Sequence, residues 1–203
     1  LADCEDDKDR KEKSLDWAIR YSFVRDTYDG LRGCYESSKD LQAHQRMPDN
    51  ATLSCDDVPE KDILYGFRFT KDGHGIQWEN AGSGVMALMK AELKHKFDKY
   101  HDYIEKIIKS IRRHFELRSE HGTDPLGLYA SFRTASEYDG IGDPSYRNTG
   151  LTWGYYRAGH LGGTTYPALS LLYYEHYKKR DYAGAEVYNP YSSKLNRYPD
   201  IEL

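Results

Sequence analysis

Apolar positions along the 203-residue chain recur mostly every three or four residues, the period of an amphipathic helix. Leu15, Ile19 and Phe23 form the first such stripe and predict a helix over Lys13 to Tyr28, with Ser14 as its cap and Gly30 as its stop. A shorter helix is expected over Leu31 to Gln42, followed by a turn-rich surface loop, QRMPDNATLSCDDVPEKD. Val85, Met89, Leu93 and Phe97 then predict a helix from about Ser83. Tyr103, Ile104, Ile107, Ile108, Ile111 and Phe115 predict another from about Tyr100. Only DKYHD separates them, which fits an antiparallel hairpin or one long kinked helix; the hairpin is the preferred reading. HGTDPLG closes this unit, and Tyr129 to Gly163 has no clear period. A last helix is expected over Thr165 to Lys179, capped by Thr164 or Thr165, with Pro167 tolerated in its first turn. The tail from Asp181 reads as an irregular wrap. Period-2 alternation is scarce, so the expected class is all-α, in a single helical domain over residues 1–203.

The two most apolar helices share an opening. Gly82-Ser83-Gly84-Val85-Met86-Ala87-Leu88 matches Gly163-Thr164-Thr165-Tyr166-Pro167-Ala168-Leu169 at a distance of 81 residues. Each copy follows a segment holding glycine, histidine and tryptophan, with His74 and Trp78 before the first and Trp153 and His160 before the second. The spacing fits a helical repeat array. Packing of small residues explains the glycines better than ligand binding does.

Composition narrows the function classes. A net charge of −4 and a pI near 6.1 provide no global field for nucleic acid, and no apolar run approaches a membrane span. The 19 tyrosines suit half-buried positions where the ring packs and the hydroxyl finds a partner, and secondarily suit carbohydrate contacts. Cys4, Cys34 and Cys55, with the sequon at Asn50, lean towards an extracellular or lumenal glycoprotein with one disulfide and a spare thiol. The chain opens on Leu1, which reads as a processed or partial product. No phosphate loop, dinucleotide fingerprint or metal-ligand spacing is present, so no cofactor and no metal are expected.

The WENAGSGVMAL and GHLGGTTYPALSLLYY openings, with Asn189-Pro190-Tyr191 after the last helix, resemble part of an α/α toroid. That ring of helical hairpins occurs in many carbohydrate-active enzymes. The resemblance covers about Phe69 to Tyr191 and lies at the level of architecture. A complete toroid is longer than this chain, so the chain would be a fragment, an associating subunit or a smaller helical array. The resemblance implies antiparallel hairpins with long loops, an oligosaccharide or polysaccharide partner, and glycoside hydrolase or polysaccharide lyase chemistry.

The segment EYDGIGDPSYRNTGLTWGYYRAGH is richest in chemistry-bearing residues. Asp139 and Glu79 are the candidate acid and base of a hydrolase, and Tyr156 and His160 the candidate pair of a lyase. Trp78, Trp153, Tyr155 and Arg157 are candidate sugar contacts. Asp139 and Asp143 also read as turn residues beside glycines, and Glu79 and Asn80 as helix caps. The alternative function is a non-catalytic assembly subunit that keeps the helices and associates with itself or a partner chain.

Overall fold

The computed structural model describes residues 8–27, 35–37, 56, 59–70, 76–120 and 161–191, and these are mostly helical. The principal elements run α1 (Lys8–Ser22), β1 (Phe23–Thr27), β2 (Tyr35–Ser37), β3 (Ile63–Phe67), α2 (Trp78–His95), α3 (His101–Glu120), α4 (Leu161–Lys178) and α5 (Tyr182–Ala185).

The three strands form an antiparallel sheet in the order β2-β1-β3, with Val24 opposite Gly66 and Asp26 opposite Leu64. The described residues are thus mostly helical with one small sheet, and strands replace the helix reading at Phe23 to Thr27 and at Tyr35 to Ser37; the rest of the short helix expected over Leu31 to Gln42 lies outside the described residues. Phe23 and Val24 carry aromatic and β-branched side chains that favour strand, and Val24 and Asp26 share one buried face. The switch from α1 to β1 is held from outside. Buried Arg68 donates from Nε and Nη2 to the Tyr21 carbonyl at 3.0 and 2.6 Å, and its backbone N–H donates to the Ser22 carbonyl at 2.9 Å. A cation on the last carbonyls satisfies the helix end and its dipole. Ser14 lies inside α1, where its hydroxyl donates to the Arg10 carbonyl.

α2 begins at Trp78, earlier than its apolar stripe indicates. Gln77 is the cap, its side chain accepting from the Asn80 N–H at 2.5 Å, while Asn80 Nδ2 donates to the Arg68 carbonyl. The helix stops at Lys96, which adopts the left-handed conformation at φ 56°. A 3₁₀ turn over Asp98–Tyr100 then leads into α3, so these are two helices and not one kinked helix. Ile104, Ile107, Ile108 and Ile111 of α3 are all buried, as the stripe predicts, and the β3 N–H of Tyr65 donates to Ser110 Oγ at 2.7 Å.

α4 begins at Leu161, one turn before the expected start. Pro167 is therefore interior and has no N–H to give the carbonyl four residues back. The two matching openings meet at this point. A Cβ on Gly82 of α2 would lie against the Tyr166 carbonyl carbon and 2.5 Å from the Pro167 nitrogen. The close approach of α2 to Tyr166 and Pro167 supports a first turn of α4 whose small residues have low helix propensity. The buried face of α4 is Gly163, Pro167, Ser170, Tyr173, Tyr174 and Tyr177, while Leu161 and Leu172 are 82% and 47% exposed. Small residues and tyrosines make its fully buried face, with Leu169 and Leu171 partly buried against the core beside them. The tail forms α5, capped by Asp181 Oδ1 accepting from Gly184 N–H, and a 3₁₀ turn over Glu186–Tyr188.

Candidate functional site

Tyrosine hydroxyls on carboxylates join the elements around α4. Tyr177 donates to Glu92 Oε2 at 2.5 Å, Tyr174 to Glu105 Oε1 at 2.7 Å, and Tyr173 to Glu186 Oε1 at 3.0 Å. Glu186 also receives Lys90 Nζ at 3.0 Å and Asn189 Nδ2 at 3.2 Å. Between α1 and the start of α3, Tyr100 donates to Asp16 at 2.9 Å. These bonds give several of the 19 tyrosines a structural role in which the ring packs and the hydroxyl satisfies a partner.

Burial, and then the carboxylate each one faces, pushes the Tyr173, Tyr177 and Tyr100 hydroxyls well above the ordinary phenol value, and Tyr174 up to about 12. A raised folded-state value means that the folded chain keeps protons which the unfolded chain loses near pH 10. The stabilisation is complete below pH 10 and falls as pH rises through the folded values. Titration of phenolate absorbance is expected to divide the tyrosines into a fraction ionising near pH 10 and a fraction ionising only as helical circular dichroism is lost. Uniform ionisation near pH 10 with the helices intact would contradict this network.

Where α2 and α4 begin, a different arrangement is open to solvent. Tyr166 and Tyr191 stack with ring centroids 6.1 Å apart and hydroxyls 2.8 Å apart, and Tyr191 is 60% exposed. Glu79, in the first turn of α2, completes the cluster. The Tyr166 hydrogen bond, then burial and the charges of Tyr166 and Glu79, push the Tyr191 hydroxyl up to about 12, so at neutral pH it remains a proton donor. From there a groove follows Ser83, Met86, Ala87 and Lys90 along α2 towards His95, with Lys11 and Leu15 of α1 on one side and Asn189 on the other.

Trp78 is wholly buried, and its indole stacks on the His114 imidazole at 4.3 Å. It is a core residue, which corrects its reading as a sugar platform. Glu79 stands beside the tyrosine pair, and the cap expected of Glu79 or Asn80 is supplied by Gln77. Asp139, Tyr156, His160, Trp153, Tyr155 and Arg157 lie outside the described residues, as do Asp143, His74, Asn50, Cys4, Cys34 and Cys55. Sequence reasoning missed Tyr166, Tyr191, Lys11 and His95 as site residues. The i, i+3, i+4, i+7 series Ser83, Met86, Ala87, Lys90 was the available signal.

Among the described residues no group of three or more His, Cys, Asp and Glu side chains is placed to hold a metal ion, and no helix is long and apolar enough to cross a membrane. Comparison with protein-family models, curated proteins and solved structures finds no match.

Proposed function

We propose that the chain is a carbohydrate-active protein of the α/α-toroid type, that α2 and α3 form one of its helical hairpins, and that glycan binds where α2 and α4 begin. The observation supporting this reading is the solvent-open Tyr166–Tyr191 stack beside Glu79. A sugar presents C–H faces that pack on aromatic rings and hydroxyls that pair with phenol and carboxylate groups. Glu79 is one of the two carboxylates a glycoside hydrolase needs, and Asp139 is the proposed second. In a lyase, Tyr156 and His160 would move the proton instead. Extracellular or lumenal residence belongs to the same proposal.

Binding to an array of neutral and acidic oligosaccharides tests it. Tyr191→Ala is expected to weaken the bound glycan about tenfold, the worth of one good aromatic contact. An array with no ligand, or a ligand held equally by Tyr191→Ala, would overturn the reading.

The second reading is a non-catalytic assembly subunit, and the exposed Leu161 and Leu172 favour it. Eleven residues are close to three turns, so both lie on one face of α4. A stable monomer by light scattering would count against this reading.

A further inference from the structure

The groove between α1 and α2 is chemically asymmetric along its length. Its floor is apolar, with Met86, Ala87 and Ala91 of α2. At one end stand Ser83 and Tyr191, with the Glu79 carboxylate near them. At the other stand Lys11 and His95, with Lys8 of α1 and Lys90 and Lys94 of α2 close enough to act on the imidazole. Lys90 is neutralised by Glu186 at 3.0 Å, and Lys8 lies over the Phe97 ring at 4.9 Å. Lys11 has no carboxylate partner among the described residues, although it lines the cavity directly. Of the acids of α1, Glu12 and Asp16 both pair with Lys99, at 2.7 and 2.8 Å.

A cavity of about 90 Å³ lies over this floor. An apolar cavity of about 150 Å³ accepts benzene, so the space here suits a slimmer body of about four or five carbons. Like charges crowded at one end of an apolar trough are stabilised by a ligand that brings an anion to them and apolar surface to the floor. A neutral apolar ligand leaves the cations facing each other, and a bare inorganic anion leaves the floor wet.

We propose that this groove is a binding site for a small amphiphilic carboxylate, its anionic head at Lys11 and His95 and its aliphatic body on Met86, Ala87 and Ala91. Tyr191 stands at the opposite end of the same groove from Lys11 and His95, and the proposal does not rest on the carbohydrate reading. Burial, and then the charges of Lys11, Lys94, Lys8 and Lys90, hold the His95 imidazole below its ordinary value. A bound carboxylate reverses that pressure and favours the imidazolium.

The test is a titration of the full chain with sodium pentanoate, followed by amide and histidine-ring NMR, with 1-pentanol as the uncharged control. Pentanoate is expected to produce saturable shifts at Ala87, Ala91 and His95 in the millimolar range and to raise the measured His95 pKa. Pentanol is expected to bind more weakly. Lys11→Gln should weaken pentanoate about fivefold, as for a partly exposed ion pair, and leave pentanol unchanged. Ala87→Leu fills the trough and should abolish the shifts while circular dichroism confirms the fold. The absence of saturable shifts, equal binding of pentanol and pentanoate, or unchanged binding in Ala87→Leu would each overturn the site.

Discussion

Gly82→Val is expected to destabilise the protein by about 3 kcal/mol or more, beyond the usual range for overpacking a core. In an exposed helix interior, replacing glycine stabilises by roughly 0.5–1 kcal/mol, because glycine is a poor helix former. Position 82 reverses that sign. Its Cβ would meet the backbone of Tyr166 and Pro167, with the Pro167 nitrogen at 2.5 Å, and backbone cannot rotate aside as a side chain can. Relief requires α2 and α4 to separate along their contact. Gly84→Ala, two residues on, is the matched control. Its Cβ would meet Phe67 Cδ2 and Cε2 at 2.6 and 2.7 Å, side-chain atoms of a buried ring and not backbone, so a smaller cost of about 1–2 kcal/mol is expected. Urea unfolding of both variants checks the contrast. A Gly82→Val midpoint equal to that of the parent would mean that α2 and α4 do not meet there.

The second large effect is expected at Glu186. Its carboxylate is 5% exposed and accepts from Tyr173, Lys90 and Asn189, which come from α4, α2 and its own turn. Glu186→Ala leaves those donors facing a void and is expected to cost about 3–5 kcal/mol, as for breaking one side of a buried ion pair. Tyr173→Phe removes a single hydrogen bond and should cost about 1 kcal/mol. Because both touch one oxygen, the double variant should be less destabilised than the sum of the singles. Lys99→Ala is the opposing case. Lys99 contacts Glu12 and Asp16 at 2.7 and 2.8 Å, but on a surface where the three side chains are 44%, 32% and 48% solvent-exposed, so less than about 1 kcal/mol is expected. A Glu186→Ala cost as small as that of Lys99→Ala would show that the buried network does not organise α4.

Part of this architecture was readable without coordinates. The α3 stripe is legible because its isoleucines meet β3 and α2 through contiguous apolar surface, which writes a helical period into the chain. The small residues opening α2 and α4 were legible as packing residues. Their mutual contact was not, since Gly82 meets the backbone of Tyr166 and Pro167 and a small residue carries no mark of which backbone it will face. β1 was misread because Phe23 continues the spacing of Leu15 and Ile19 by one more step. Five residues of strand are too few to outweigh such a coincidence when pairing with β3 supplies the decision.

The candidate site was less legible still. Of the residues named from sequence, Trp78 lies in the core and Glu79 stands at the tyrosine pair. Trp78 is misleading because aromatic surface serves a core and a sugar platform equally, and only its stacking on His114 separates the two. Tyr191 and Lys11 carry no local pattern, since they gain meaning from neighbours distant in the chain, Tyr166 and Glu79 for the first and Met86 and His95 for the second.

Helical period and the presence of small residues are local properties, so the chain alone specified α3, the body of α2 and the existence of α4. Strand pairing, the interior position of Pro167, the carboxylates that receive the tyrosine hydroxyls and the cations gathered at Lys11 and His95 came from folding. Each depends on groups distant in sequence whose approach is set by backbone contact and burial, and a linear pattern does not encode that distance.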